Sequence, residues 1–412
     1  MTPEERRAFG KQVARLRSQR GLTQAELAAA IGRTASWMSQ VERGIQPVVR
    51  LDVLQLLADG LGVSVHVLQP TAPTEPPAPP PAGEEANDLD AARLLISGHP
   101  ALGVLLGDSP EEEPPSLDVL ESEVEEVWKF THAAQFAELS AALEVLVPRL
   151  ERASRRTRGK DRAAVNELLG RMYQALAAAF VRQDEADAAW VAADRAIRAA
   201  EQSEQPFAVC AGIFRLAHAF LRAKRLDQAE HAAATAVATL QAHIADGEAS
   251  PEALSVLGAL HLVLGQVHAR AGRRAEARSE IANARSIGER LGEDRNDFNL
   301  EFGPTNVELW AIAIALDLGD AGEALDIGSS LDVSALSAER RSRFLTDMGR
   351  AHTQRRHIGE ATDCLLRAEE LAPESVRTHI TVRECIRELV LIAGRSAPAE
   401  LLELAERADA LS

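Results

Sequence analysis

The sequence predicts an all-α protein: a bundle of five short helices, a proline-rich linker and a long α-solenoid. Three observations lead to this class. Apolar residues make up 46% of the 412 residues but aromatics only 4%. The apolar content is mostly Ala, Leu and Val, which suits closely packed helices better than sheets. Helical periodicity runs through most of the chain, and capping and turn residues divide it into short segments.

Length and composition divide the chain into three regions. A chain of 412 residues is longer than the ~150 residues typical of one domain. We predict a compact bundle over residues 1–69, a proline-rich linker with a short apolar segment over residues 70–116, and a helical repeat domain over residues 117–412. The 13 residues from Pro70 to Ala82 favour extended polyproline II and could span roughly 40 Å.

Cysteine usage and hydropathy predict a cytoplasmic protein. The three cysteines show no C-x-x-C spacing, so neither a disulfide framework nor a thiolate zinc site is indicated. The charged N-terminus lacks the apolar core of a signal peptide, and no apolar run reaches the ~18 residues of a membrane span. We therefore expect no metal, no cofactor and no membrane contact.

The N-terminal region carries the signals of short amphipathic helices. Thr23 and Glu26 have the spacing of a capping box at the start of the second helix. The third helix is expected to begin near Thr34 or Ala35, and the stretches RLDVLQLLADGLG and SVHVL supply two more. Helical spacing predicts these inward-facing residues: Phe9, Val13, Leu16, Leu27, Ala28, Ile31, Met38 and Val41.

The third helix has a polar face opposite its apolar one. Ser36, Gln40 and Arg43 share that side on a helical wheel. The T-Q-x-E-L-A stretch and the S-x-x-S-x-x-E-R-G spacing within residues 9–69 resemble the lambda-repressor-like (Cro-type or Xre) helix-turn-helix domain. The resemblance implies that the third helix enters the major groove of double-stranded DNA.

The same resemblance implies roles for individual side chains. Gln24 would bind a phosphate and brace the reading side chains. Gln40 is the best candidate for a bidentate adenine contact. Arg17 and Glu42 match the family's buried internal ion pair, which supports the fold rather than DNA binding.

Three of the candidate DNA contacts have a second interpretation. Trp37 either contacts DNA or packs over a neighbouring helix, while Arg43 and Arg50 are either phosphate contacts or solvated charges. Because the start of the third helix offers few polar atoms, DNA shape is expected to carry part of the selection. The full set of candidate DNA-binding residues is Gln24, Arg33, Thr34, Ala35, Ser36, Trp37, Ser39, Gln40, Arg43 and Arg50.

The charge distribution reconciles DNA binding with a net charge of -17. Residues 1–70 hold nine Arg and Lys against six acidic residues, so this region is +3 and the remainder is -20. Since the Debye length is ~8 Å at physiological salt, a spacer that holds the acidic region away limits its repulsion of DNA. One small domain reads only a half-site, so a homodimer is expected.

A recurring pattern predicts helical hairpins over residues 117–411. The stretches LAHAF, LGQVH and MGRAH are each followed by alanines at fixed spacing and resemble the start of tetratricopeptide repeats. LGRMY begins in the same way but has Arg182 where an alanine is expected. We predict five to seven hairpins; a generic α-bundle or another α-solenoid is the alternative. The patterned alanines are Ala229, Ala236, Ala277, Ala284, Ala361 and Ala368.

The repeat register predicts which side chains line the concave groove. Several arginines fall there in an otherwise acidic domain, which favours an anionic group or a peptide carboxylate. For Arg222 and Arg270, a helix C-terminal position offers a plain structural alternative. The ligand-binding residues predicted from the register are His218, Arg222, Gln266, Arg270, Asn306, Arg350 and Gln354, with Thr353 beside them. Asn299 is added to this set from a polar segment between two of the repeats.

The segment DRNDFNLEFGPTNVELW is too long and polar for a plain repeat junction. We expect this loop to form a lid or rim over a ligand, because the side-chain amide of Asn306 can bond a peptide backbone through both donor and acceptor. Thr305 and Glu308 are expected to form a capping box after Pro304.

An Xre-type domain followed by such repeats resembles the peptide-responsive RRNPP regulators and the long helix-turn-helix regulators of high-G+C bacteria. The resemblance implies a homodimeric transcription factor whose array senses a small-molecule or peptide ligand. The alternative is an antitoxin-like or partner-controlled DNA binder whose array docks another protein. No enzyme is expected, because phosphate-binding, dinucleotide, zinc-protease and nucleophile-elbow motifs are all missing.

Overall fold

The computed structural model describes residues 3–20, 22–31, 33–45, 48, 53, 57–58, 60–61, 87–98, 115–245 and 249–411. The chain divides into two compact units, Met1–Glu84 and Glu85–Ser412. The described residues are almost all helical, which confirms the all-α class. Most of the fourth and fifth expected helices and residues 70–86 of the expected linker lie outside the described residues.

The described part of the N-terminal unit begins with α1 (Pro3–Gln19), α2 (Gln24–Ala30) and α3 (Ala35–Glu42). The Thr23 hydroxyl accepts from the backbone N–H of Glu26 at 3.2 Å. The Glu26 carboxylate accepts from the N–H of Thr23 at 2.7 Å. These two bonds satisfy free donors at the start of α2 and confirm the predicted capping box.

One apolar core holds the N-terminal unit together. Gly10 lets α1 approach α3, since a Cβ there would overlap carbonyl oxygens of α3. The predicted inward faces are confirmed, with Leu16 partly buried at the edge. The buried members of this core are Phe9, Val13, Leu27, Ala28, Ile31, Met38, Val41, Val48, Val53, Leu57, Ala58 and Leu61.

A short amphipathic helix, α4 (Asp90–Ser97), packs onto the C-terminal unit. Its buried Ala92 and Ile96 share a core with the first helices of the repeat region. Arg195 Nη2 donates to the carbonyl oxygens of Ile96 and Gly98, each at 2.9 Å. The C-terminal compact unit thus starts ahead of residue 117, and the apolar segment assigned to the linker is part of it.

Antiparallel hairpins follow one another along the C-terminal unit. Within the described residues six consecutive pairs can be traced, which falls in the predicted range. Three shorter helices close the array. The bounds are α5 (Leu117–Ala133), α6 (Phe136–Arg156), α7 (Gly159–Arg182), α8 (Ala186–Gln202), α9 (Pro206–Arg222), α10 (Leu226–Ala245), α11 (Pro251–Arg270), α12 (Arg274–Leu291), α13 (Pro304–Asp317), α14 (Ala321–Ser330), α15 (Ala338–Gln354), α16 (Ile358–Leu371), α17 (Pro373–Thr378), α18 (Ile380–Ala393) and α19 (Ala399–Arg407).

The turn inside each hairpin uses the same backbone device. One residue just after the first helix has a positive φ, which ends the helix and reverses the chain. The residues in this conformation are Ala134, Asp184, Lys224, Gly272, Gly319 and Arg356. Two of the six are glycines, so local hydrogen bonding and helix packing hold the other turns in this less favoured region.

Small residues set the spacing between helices. All the patterned alanines are buried, as predicted. A Cβ added at Gly265 would lie 3.0 Å from Ile314, and one at Gly349 would lie 3.0 Å from Leu365. These positions let neighbouring helices approach closely, which is the packing logic of a helical repeat array.

The segment between α12 and α13 folds back into the array. Residues 295 and 302 form an isolated antiparallel bridge, and the ring of Phe302 is fully buried against Gly258 of α11. The expected capping box at the start of α13 is wrong. The N–H of Thr305 donates to Asp294 Oδ1 at 3.0 Å, while Glu308 pairs with Arg285 at 2.7 Å.

Helix α11 is the one described helix long and apolar enough to cross a membrane. Its most apolar window is 89% buried among neighbouring helices. His261 and His268 on this helix are buried, and His261 Nδ1 lies 2.5 Å from Glu280 Oε2 of α12. The apolar composition of α11 therefore reflects its central position in the array.

Candidate functional site

The third helix presents a polar surface to solvent. Met38 and Val41 are fully buried, while Ser36 and Arg43 on the other side are exposed and Gln40 is partly exposed. Thr34 caps the helix, its hydroxyl accepting from the N–H of Trp37 at 3.2 Å. The cap fixes the N-terminal turn that carries most of the candidate DNA contacts.

Arg33 and Trp37 form a pair at the N-terminal end of this surface. The Arg33 guanidinium lies 5.6 Å from the centre of the Trp37 ring, a cation–π geometry. Trp37 is partly buried against the core, so it packs on the domain and also holds Arg33. Of the further candidates, Ala35 is exposed and Ser39 is partly exposed, while Arg50 lies outside the described residues.

A partly buried polar triad connects the three helices behind this surface. Arg17 Nε donates to Glu42 Oε1 at 2.6 Å, confirming the expected internal ion pair. Gln24 Nε2 donates to the other carboxylate oxygen of Glu42 at 2.6 Å. Gln24 thus braces Glu42 at the end of α3, and its contact with the reading side chains is indirect. Arg43 Nε donates back to the Ser39 carbonyl at 3.2 Å.

A cavity of about 310 Å³ lies on the concave side of the array. The first helix of each hairpin contributes to its wall, and the closing helices α17 and α18 complete it. Seven of the eight predicted ligand-binding residues line it: His218, Arg222, Gln266, Arg270, Asn299, Asn306 and Arg350.

Two groove predictions on α15 differ from the structure. Gln354 is not among the cavity residues; its side chain donates to the carbonyl oxygen of Leu316 at 3.2 Å. Thr353 is buried and its hydroxyl donates to the Gly349 carbonyl at 2.8 Å. Both side chains donate to backbone carbonyls within the packed helices. The cavity wall on α15 therefore ends at Arg350, one turn before these two residues.

The cavity wall is rich in cations. Seven arginines line it against four carboxylates, although the whole chain is acidic. The arginines that sequence reasoning missed are Arg182, Arg215, Arg340 and Arg343. One signal pointed to the first of them: Arg182 replaces the alanine expected in its repeat, and it faces the cavity.

Most of these arginines have defined partners. Arg182 donates to the Thr131 carbonyl at 2.8 Å and to Glu339 at 3.3 Å. Arg222 pairs with Asp184, in the turn between α7 and α8, at 2.6 Å, and Arg270 on α11 pairs with Asp317 on α13 at 3.1 Å. These ion pairs extend the role expected from their helix C-terminal positions.

The Asn306 side chain is buried and engaged. Its Oδ1 accepts from Arg340 Nη2 at 3.1 Å. Asn299 lies on the re-entrant segment, and its backbone carbonyl accepts from Arg215 Nη2 at 2.7 Å. The polar segment therefore forms part of the cavity wall, and it accepts hydrogen bonds from both Arg340 and Arg215.

Arg343 and Arg215 retain unmet bonding capacity. Arg343 is 58% exposed, and its nearest carboxylate oxygens, on Glu301 and Glu339, lie 3.9 Å away. The buried Nε of Arg215 has no hydrogen-bond partner in the described part of the chain. The same holds for the Nε of Arg222. All three arginines line the cavity.

Aromatic rings border the same space. The Arg215 guanidinium lies 5.4 Å from the ring centre of Trp128 and 5.2 Å from that of Phe214. The rings of Phe214 and His218 are tilted against each other with centres 4.4 Å apart, and Trp310 meets His218 edge-on at 5.6 Å. The cavity thus combines cationic donors with apolar faces, the usual make-up of a small-molecule site.

The electrostatics of the cavity reflect burial and crowding of cations. Burial, with neighbouring arginines, lowers the pKa of His379 to about 3 and that of Arg215 to about 10. Burial also lowers the pKa of His218 to about 3. Both histidines are therefore neutral at physiological pH, and the positive potential comes from the arginines.

The array closes on itself around the cavity. Arg182 on α7 reaches Glu339 on α15. Asn87 Nδ2 donates to Glu374 Oε2 at 2.8 Å and to the Ala134 carbonyl, while Asn87 Oδ1 accepts from the N–H of Phe136 at 2.5 Å. A residue ahead of the first hairpin thus joins both ends of the array.

Comparison with known proteins identifies the N-terminal unit. Residues 8–70 match the model of a helix-turn-helix domain family. The comparison with curated proteins gives no significant match. The crystal structure of Bacillus thuringiensis PlcR in complex with the peptide PapR7 and DNA matches at 13% identity and a TM-score of 0.31, covering 78% of this chain and 92% of that chain. At that TM-score the likeness supports no inference about this chain.

The class of the protein follows from the N-terminal match and the helices described above. The N-terminal unit is a helix-turn-helix DNA-binding domain, and a helical array follows it. The protein is a DNA-binding transcriptional regulator.

Proposed function

We propose that this protein is a sequence-specific, ligand-responsive transcriptional regulator that acts in the cytoplasm as a homodimer. The array senses a small-molecule or peptide ligand and has no enzymatic role. The observation that carries the proposal is the cation-rich cavity in an array that shares one chain with a helix-turn-helix domain.

DNA reading is assigned to α3. Its exposed polar face is held rigid by the Thr34 cap and by the triad that Glu42 makes with Arg17 and Gln24. Rigid support of a short recognition helix favours selectivity, because side chains that are already placed lose less entropy on binding. Gln40 is the candidate for a bidentate adenine contact from this face.

Ligand sensing is assigned to the cavity because its wall is shared among helices. One bound molecule would contact the first helices of several hairpins at once. The curvature of such an array is the sum of small rotations between neighbouring repeats. A ligand that binds one curvature better than another would shift the population and, through the linker, the spacing of paired DNA-binding domains.

The DNA-binding part is tested by mapping the chromosomal fragments that purified full-length protein retains, and by measuring Kd for the best fragment at several salt concentrations. We expect tight, salt-sensitive binding. Replacing Ser36 and Gln40 together with Ala should cost roughly tenfold or more in selectivity over unrelated DNA, since each specific base contact contributes ~1–3 kcal/mol.

Gln202→Ala provides a matched control, because Gln202 is an exposed glutamine at the end of a helix in the array. Selectivity unchanged in the Ser36→Ala/Gln40→Ala double variant would remove both residues from the reading surface. If wild-type protein bound DNA only together with a co-purified protein, the partner-controlled alternative would replace ligand sensing.

A further inference from the structure

We infer that the array cavity takes a small organic anion, an aromatic carboxylate or phosphate, with the anionic group at Arg343 and the ring against Phe214 and Trp310. This inference rests on the proposed ligand-sensing function and adds the chemical class of the ligand. Four observations support it: the charge of the wall, the geometry of Arg343, the aromatic rings near Arg215 and the size of the space.

The charge of the wall favours an anion. Three more arginines than carboxylates face one concave space. Burial lowers the pKa of Arg182 and of Arg215, and the charge of Arg343 lowers both further, so the cations also repel one another. A carboxylate or phosphate bound among them would relieve this repulsion, and a neutral or cationic ligand would not.

Arg343 is positioned as the primary anchor. It lies on α15, one turn from Glu339 and one turn from Asp347. It lines the cavity, and its side chain is 58% exposed. Its closest carboxylate oxygens are too far for hydrogen bonds. A planar guanidinium with free donors binds carboxylate or phosphate oxygens in a bidentate manner.

Arg215 and the rings define a second half of the site. The Arg215 guanidinium lies close to the rings of both Trp128 and Phe214, at 5.4 and 5.2 Å from their centres. Phe214 and Trp310 lie 6.4 Å apart, ring centre to ring centre, and both line the cavity. A flat apolar group placed there would stack on aromatic faces while its anionic substituent reaches the arginines.

The size of the space favours a compact ligand over an extended peptide. The cavity of about 310 Å³ is at the lower end of the ~300–1,000 Å³ typical of small-molecule pockets. Contacts from Arg182 to Glu339 and from Asn87 to Glu374 close the array beside it. An extended chain of several residues would have to break these contacts to lie through the groove.

The test uses full-length protein and matched pairs of probes that differ in charge. Indole-3-acetate is compared with indole-3-acetamide, and 1-naphthyl phosphate with 1-naphthol, by thermal shift and calorimetry. We expect the anionic member of at least one pair to raise the melting temperature and its neutral partner to bind about tenfold more weakly or worse. The two pairs separate a carboxylate ligand from a phosphate ligand.

Arg343→Gln should weaken the anionic probe about tenfold, and Arg343→Lys should restore part of the loss. Arg367→Gln is the control: Arg367 is 59% exposed, much as Arg343 is, but it lies outside the cavity and pairs with Asp363 on its own helix. Equal binding of neutral and anionic probes, retained affinity in Arg343→Gln, or no binding of any probe would overturn the inference.

Failure of the proposed ligand response gives a different result from failure of the inference about the anionic ligand. In that case an anion binds at Arg343 but leaves the affinity of the protein for its DNA fragment unchanged. Conversely, a neutral compound that altered DNA affinity without needing Arg343 would uphold ligand sensing and refute the anionic class.

Discussion

Glu42 shows which residue-scale features a sequence can reveal. Its pairing with Arg17 follows from the family pattern, and the structure confirms it with side chains only 7% and 16% exposed. The hydrogen bond from Gln24 to the same carboxylate could not be read from spacing, because it depends on how α2 crosses the end of α3. A family pattern in the sequence can identify the two members of an ion pair, whereas a third partner depends on how the helices pack against one another.

Arg343 is the opposite case, a residue whose position carries no sequence signal. It stands in a run of charged residues, RRSR, that would suit any solvated helix face. Only closure of the array turns that face inward. Six of the seven predicted residues that line the cavity could be predicted from the repeat register, and Asn299 from its unusual polar segment. Neither signal singled out Arg343 or Arg215.

His218 on α9 gives a pH-dependent prediction. Burial lowers the pKa of His218 to about 3 in the folded protein, against ~6.5 in an unfolded chain. Between those values the unfolded chain binds a proton that the folded chain does not, so stability decreases as pH falls from ~6.5 towards 3. We expect His218→Gln to flatten the decline in melting temperature between pH 7 and pH 4.

His243→Gln is the control, because His243 is exposed near the end of α10. Calorimetric melting curves across this pH range compare the two variants with wild type. A decline of the same steepness in His218→Gln as in wild type would show that His218 does not contribute to it.

At the scale of elements, helix type and order were predictable while the re-entrant segment was not. Caps, turn positions and buried alanines all arise from local spacing, and they identified the hairpins. The fold of residues 293–303 depends on Phe302 entering a space that exists only because Gly258, on another helix, has no side chain. The sequence indicated that the segment is unusual. Its conformation could not be predicted, because it depends on contacts with helices distant in the sequence.

The contact between Phe302 and Gly258 leads to an element-scale prediction. A methyl group at position 258 would overlap the Phe302 ring, which is fully buried and cannot turn aside without moving its segment. We expect Gly258→Ala to destabilise the array by about 1–3 kcal/mol, as overpacking does. We also expect faster proteolysis within residues 293–303.

The control for this substitution is Gly322→Ala. A Cβ at Gly322, also within a helix, meets no atom within 4 Å, so this change should be neutral or stabilising by up to ~1 kcal/mol. Urea unfolding and limited proteolysis measure both variants. Equal stability of the two variants would mean that the conformation of the segment does not depend on the contact of Phe302 with α11.

At the scale of the whole molecule, the proposed ligand response requires that binding in the cavity changes the position of the linker that leads to the DNA-binding domain. Asn87 is the first described residue on the linker side of the array, and its side chain bonds to both ends of the cavity wall. It accepts from the N–H groups of Phe136 and Ala137 and donates to Ala134 and Glu374. Any change in curvature that separates α17 from α6 would break some of these hydrogen bonds of Asn87. It would also shift the point where the linker leaves the array.

Asn87→Ala should therefore weaken the link between ligand and DNA while leaving each binding event intact. We expect wild-type protein to change its DNA affinity about 5- to 150-fold when the anionic probe is bound, the range typical of coupled sites. In Asn87→Ala that ratio should fall towards one, with DNA affinity in the absence of probe little changed. Asn283→Ala, an exposed asparagine on α12, is the matched control. A ratio preserved in Asn87→Ala would place the coupling elsewhere, because removal of these four bonds would then have no effect on how the two sites communicate.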